Sequence, residues 1–110
     1  MTTVFEKIIS GELPSTKVFE NERIIAIEDI APVAPVHLLI ITKKRIPSIQ
    51  EMEAEDLPLL QEIAQVAQRL SAERGITDYR LLTNCGPSSG QTIFHLHFHL
   101  IGGRDLGPMA

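Results

Sequence analysis

His95-Leu96-His97-Phe98-His99-Leu100-Ile101 sets three of the chain's four histidines at every second position of a short apolar run. In an extended strand, successive side chains point to opposite faces of the sheet. The spacing therefore predicts a strand over Phe94 to Ile101, with His95, His97 and His99 on one face. Phe94, Leu96, Phe98 and Leu100 then pack the other face. Imidazole gains and loses its proton near neutral pH, and in its neutral form it is a nucleophile and a metal ligand. A strand that buries one side and presents three imidazoles on the other reads as a reactive site built on a sheet.

The elements around this strand follow from local pattern. Thr3 is placed to cap a short helix whose apolar side is Phe5, Ile8 and Ile9, ended by Gly11. Lys17 to Glu20 and Ile24 to Asp29 read as two strands around the turn Asn21-Glu22. Pro32 and Pro35 mark a connecting loop before the β-branched run Val36 to Thr42, which belongs in the middle of a sheet. Leu60, Ile63, Ala67 and Leu70 recur at helical spacing, widened by Leu59 and Val66, and predict a long helix from about Glu55 to Arg74. Pro58 is tolerated only in its first turn, and Gly75 supplies a stop. Tyr79 to Asn84 completes the strands. The expectation is one α+β domain over residues 1–110, a five-stranded antiparallel sheet with one long and one short helix.

Composition narrows the partners. A formal charge of −4 offers no basic patch for a polyphosphate backbone, so nucleic acid is not expected as the main partner. The apolar runs around Val33 to Ile41 are too short to span a bilayer and are broken by Pro35. Cys85 is the single cysteine, which excludes an intramolecular disulfide and fits a reducing compartment. No cationic, then apolar, secretory pattern opens the chain. These features read as a soluble cytoplasmic protein.

Asn84-Cys85-Gly86-Pro87-Ser88-Ser89-Gly90-Gln91-Thr92 delivers the chain into the histidine strand. Glycines let backbone N–H groups approach an anion, and the Thr92 hydroxyl stands beside them. Alone, such a segment is a plain hairpin turn. Next to a row of imidazoles it suits phosphoryl chemistry, in which donors hold the oxygens, one imidazole attacks and another delivers a proton. A metal site remains a competing reading, since His-x-His on a strand can bring two imidazoles to one ion.

The run His95 to Ile101 resembles the histidine-triad signature of the HIT superfamily, alternating histidine with apolar residues. The similarity extends through Ala34-Pro35-Val36-His37, Lys43-Lys44 and Gly102-Gly103-Arg104, and covers nearly the whole chain from Phe5-Glu6-Lys7-Ile8-Ile9 onward. The short length and the Gly-Gly-Arg resemble the Hint branch. The resemblance implies a hydrolase cleaving the P–N bond of purine nucleoside 5′-phosphoramidates, without a cofactor, through a covalent nucleotidyl-histidine. Dinucleoside polyphosphate cleavage and a nucleotide-binding module with vestigial hydrolysis are the alternatives.

By that resemblance His97 attacks the α-phosphorus, His99 contacts phosphate and assists proton transfer, His95 is a structural partner, and His37 orients His97. Asn84, Gln91 and Thr92 match positions contacting phosphate and leaving group, with the Gly90 backbone nearby; Thr92 stands where serine is commoner. Asp29 matches the acceptor of the ribose hydroxyls. Val4, Phe5, Ile8, Ile27 and Ile30 match an apolar slot for the base, although Ile8 and Ile27 read equally well as ordinary core. The resemblance also implies a homodimer that joins two sheets. Val4-Phe5-Glu6-Lys7 stands where some relatives carry a Cys-x-x-Cys zinc site, so no metal is expected. The tail Asp105 to Ala110 lacks the tryptophan and paired prolines of many Hint proteins, which leaves the leaving-group preference open.

Overall fold

The computed structural model describes residues 2–109. Helix α1, Val4–Ser10, opens with a reciprocal cap: the Thr3 hydroxyl accepts from the Glu6 N–H, while the Glu6 carboxylate accepts from the Thr3 N–H. Gly11, at φ 87°, ends it as anticipated. Strands β1, Lys17–Glu20, β2, Ile24–Glu28, and β3, Val36–Thr42, follow. Next come two short 3₁₀ turns and the long helix α2, Pro58–Glu73. Strands β4, Tyr79–Leu82, and β5, His97–Gly102, complete a five-stranded sheet of order β1-β2-β3-β5-β4, every pair antiparallel.

The differences from the expected boundaries have local causes. Pro58 lacks an N–H and occupies the first turn of α2, so the residues before it close a separate 3₁₀ turn at Ala54–Asp56. The ladder of β5 begins at His97, two residues past His95. Upstream, the chain lies against the 42–46 segment, where the Leu96 N–H donates to the Ile46 carbonyl. Phe94, expected to pack into the core, is 44% exposed. Leu96 fills a small cluster with Ile46 and Leu59.

Two hydrophobic layers enclose the sheet. Helix α2 packs Ile63, Val66, Ala67 and Leu70 onto Ile24, Ala26, Val36, Leu38, Ile40 and Leu100. On the opposite face, Phe5 and Ile8 of α1 cover Ile25, Ile27, Leu39 and Ile41. Strand β3 lies centrally with both faces covered, which is why every residue in it is buried. Helix α1 is too short to cover its face completely. His37, His97 and His99 share the sheet face on which α1 sits, by strand alternation with Leu39, Ile41 and Ile101.

Candidate active site

Three of the four histidines, His37, His97 and His99, come from one cross-strand register, and His95 lies just upstream of it. Leu39 pairs with His99 and His37 with Ile101, so His37 and His99 are diagonal neighbours across β3 and β5. Their rings meet with His37 Nε2 2.9 Å from His99 Nδ1. The His97 and His99 ring centroids are 5.2 Å apart. Phe5 of α1 stands edge-on to His97 at 4.8 Å and to His95 at 5.8 Å.

Hydrogen-bond partners assign the ring protons. A carbonyl oxygen only accepts, so the contact of 2.7 Å between His97 Nδ1 and the His95 carbonyl puts the proton on Nδ1. The lone pair of neutral His97 is therefore on Nε2, available for attack. His95 is fully buried and oppositely protonated: its Nε2–H donates to the Thr42 carbonyl at 2.6 Å, and its Nδ1 lies 3.3 Å from the Thr3 hydroxyl. His95 thus ties the start of α1 to the end of β3 while its carbonyl aims His97. The Val33 N–H donates to His37 Nδ1 at 3.1 Å, which leaves the His37 proton on Nε2 between His99 Nδ1 and Asp29 Oδ2, the latter 3.3 Å away.

This arrangement corrects one expected role. His37 contacts His99, Asp29 and Val33, and the orientation of His97 comes instead from the backbone of His95. The physical reason is the register: His97 and His99 are two positions apart on β5, and His37 reaches the nearer one.

Asp29, His37 and His99 also offer one donor atom each within 4.8 Å, a set that could hold a metal ion. The Val33 N–H weighs against it. With His37 Nδ1 accepting that bond, Nε2 carries a proton where a metal would need a lone pair.

Burial holds His95, His97 and His99 below the ordinary imidazole pKa. His99 reaches about 4, because desolvation is joined by the neighbouring His97 and His37. The free site is therefore uncharged at these three rings at neutral pH. Stability should follow the same linkage. Unfolded histidines take up protons below about pH 6.5 while these buried ones do not, so stability is complete above that pH and falls as pH drops from about 6.5 toward 4. Urea midpoints are expected to decline between pH 7 and pH 5, and to decline less in His99→Gln. A flat native profile over that window would contradict the assignment.

The loop before β5 departs from the expected anion cradle. The N–H groups of Ser89, Gly90 and Gln91 are satisfied within the turn by the carbonyls of Gly86 and Pro87. Buried Gln91 spends its side-chain amide internally, donating to the Pro47 and Ile93 carbonyls at 2.7 and 3.1 Å and accepting from the Gly86 N–H at 2.9 Å. It braces the loop, and no hydrogen on its amide is left for a phosphate or leaving group. Asn84 packs against Gly90, whose missing Cβ would lie 3.5 Å from Asn84 Nδ2. Thr83 beside it donates to the His97 carbonyl at 2.7 Å, which brings Asn84 next to the start of β5. Thr92 is exposed.

Of the five apolar residues expected to form a slot, the structure gathers three. Phe5, Ile8 and Ile27 pack together in the core layer beneath α1, whereas Val4 is exposed and Ile30 fully so. Asp29 Oδ1 accepts from the Ala31 N–H at 2.8 Å. A cavity of about 650 Å³ lies elsewhere, between residues 75–80 and 103–107, and none of these residues lines it.

Comparison with known proteins decides the family. Residues 2–108 match the family model described as "Scavenger mRNA decapping enzyme C-term binding". A HIT-like protein of Chlamydia pneumoniae is 52% identical, over 98% of this chain and 99% of its own length. The chain belongs to the HIT family. The purine nucleoside phosphoramidase of Escherichia coli K12 is 41% identical to this HIT protein, over 97% of this chain and 92% of its own. A solved HIT family hydrolase from Clostridium thermocellum superposes with a TM-score of 0.94 at 50% identity, covering 97% of this chain and 95% of that one. At the level of reaction class these matches support a hydrolase. Among the described residues, no helix of this HIT protein is long and apolar enough to cross a membrane.

Proposed function

We propose that this HIT protein hydrolyses purine nucleoside 5′-phosphoramidates through a nucleotidyl intermediate on His97. The hydrogen bond from His97 Nδ1 to the His95 carbonyl carries the reading, because it holds the attacking lone pair on Nε2. Nε2 forms a bond to the α-phosphorus, the P–N bond breaks, and its electron pair leaves with the amine, which takes up a proton. Water then attacks phosphorus, the P–Nε2 bond breaks, and a nucleoside monophosphate is released. His99, protonated as the anionic substrate enters, supplies the proton to the amine. Asp29 accepts from the ribose hydroxyls, and Phe5, Ile8 and Ile27 form the apolar wall nearest the base.

The likeness to a phosphoramidase at 41% identity supports the P–N bond over the polyphosphate alternative. A homodimer belongs to the same proposal: edge strand β4 exposes Tyr79 and Leu81, and its outer rim has no strand neighbour among the described residues.

His99→Ala mixed with adenosine 5′-phosphoramidate is the direct test, read by intact-protein mass spectrometry. The expected product is an adduct of one AMP, absent when His97 is also replaced. No adduct, together with no AMP release by the unaltered protein, would transfer the reading to a nucleotide-binding module. Faster cleavage of a diadenosine polyphosphate under the same conditions would favour the polyphosphate alternative.

A further inference from the structure

The Gly102-Gly103-Arg104 run that follows the triad is not used by the chemistry above, yet the structure ties it to the site. Gly102 has no room for a side chain: a Cβ there would lie 2.9 Å from the Asp78 carbonyl oxygen. Gly103 takes φ 95° and passes close to Pro35, with a Cβ position 3.1 Å from the proline ring. The two glycines deliver Arg104 against the loop between β2 and β3. Its Nε–H donates to the Val33 carbonyl at 2.9 Å, and its Nη1 to the Asp105 carbonyl at 2.6 Å. The same residue 33 donates its own N–H to His37 Nδ1, and His37 Nε2 meets His99 Nδ1.

We propose that Arg104 is a positioning residue that sets, through Val33 and His37, which nitrogen of His99 carries the proton. The chain of donors runs in one direction. Arg104 holds the Val33 carbonyl, in the peptide that joins it to Ala34, and so restrains the backbone of residue 33, whose N–H in the preceding peptide faces His37 Nδ1; that nitrogen is then a lone pair. The His37 proton is thereby on Nε2 and is given to His99 Nδ1, which leaves the proton of neutral His99 on its Nε2. Asp29 reinforces the order by accepting at His37 Nε2, and by receiving the Ala31 N–H it holds the loop on which Val33 sits. Without the first link, the backbone of residue 33 is free to turn about its own φ and ψ, and His37 can bind its proton at either nitrogen.

The role assigned to His99 rests on the proposed phosphoramidase reading, whereas its tautomer can be observed without any substrate. Nitrogen-15 spectra of histidine-labelled protein at pH 8 should show unprotonated Nδ1 and protonated Nε2 at both His37 and His99. His97, with its proton on Nδ1, serves as the internal reference. Arg104→Gln is expected to move the His37 and His99 signals toward mixed tautomers, changing the ratio roughly five- to tenfold, the amount one net hydrogen bond carries. The His97 signals should stay in place. AMP release should fall about tenfold in kcat with KM within about twofold, a fraction of what general acid–base catalysis supplies.

Val33→Pro deletes the N–H itself and should move the same signals, so the test stands even if Arg104→Gln fails to fold. Unchanged His37 and His99 tautomers in a folded variant would overturn the inference, whatever happens to turnover. Absence of AMP release by the unaltered protein would instead overturn the phosphoramidase reading, with the spectra still deciding the role of Arg104.

Discussion

His97→Asn should lower AMP release from adenosine 5′-phosphoramidate by about 10³-fold or more, the scale of losing the nucleophile from a covalent mechanism. Asparagine suits the test because its side-chain amide can donate to the His95 carbonyl in place of Nδ1–H. The fold should therefore persist, with a melting temperature within a few degrees of the unaltered protein. His97 is only half-buried, so little core volume is lost. What disappears is the lone pair at Nε2, and with it any AMP adduct. Residual turnover within a few-fold of the unaltered protein would exclude His97 as the nucleophile and move the chemistry to another residue.

The second large effect is on stability, and it concerns the histidine least exposed to substrate. His95→Ala should cost about 3–5 kcal/mol, the range seen when large buried side chains are truncated. The ring is completely buried and joins α1 to β3 through Thr3 and the Thr42 carbonyl. Its removal leaves a cavity and an unsatisfied carbonyl, the latter alone worth about 1–3 kcal/mol. Against a total stability of about 5–15 kcal/mol this is a large fraction. Thermal unfolding should show a fall in melting temperature on the order of 15 °C. His95→Gln, which keeps an N–H donor, should recover part of it. A fall of only a few degrees in His95→Ala would show that His95 is not the clamp described, and that α1 is held by Phe5 and Ile8 alone.

Much of the fold was legible because short-range pattern carried it. Thr3 and Gly11 bounded α1, Pro58 and Gly75 bounded α2, and Val36 to Thr42 declared itself as a central strand by its branched residues. Alternation placed His97 and His99 on one face without reference to the rest of the molecule. It failed at Phe94, which is exposed, because alternation holds only within a ladder. The ladder of β5 starts at His97, since the upstream backbone is engaged by Ile46. Gln91 was similarly opaque: its sequence position lies beside the site, but its amide answers to Pro47, Ile93 and Gly86.

From its sequence alone, then, this protein is determined as an α+β domain with imidazoles in a row on a strand, because side-chain periodicity and capping are properties of neighbouring residues. Which histidine touches which, and which nitrogen bears each proton, was decided only by the tertiary structure. Those assignments depend on the His95 carbonyl, the Val33 N–H and the Thr42 carbonyl. Every residue but proline carries the same carbonyl and N–H, so no residue name announces them. Only the register of β3 against β5 and the path of the loops bring them to the imidazoles.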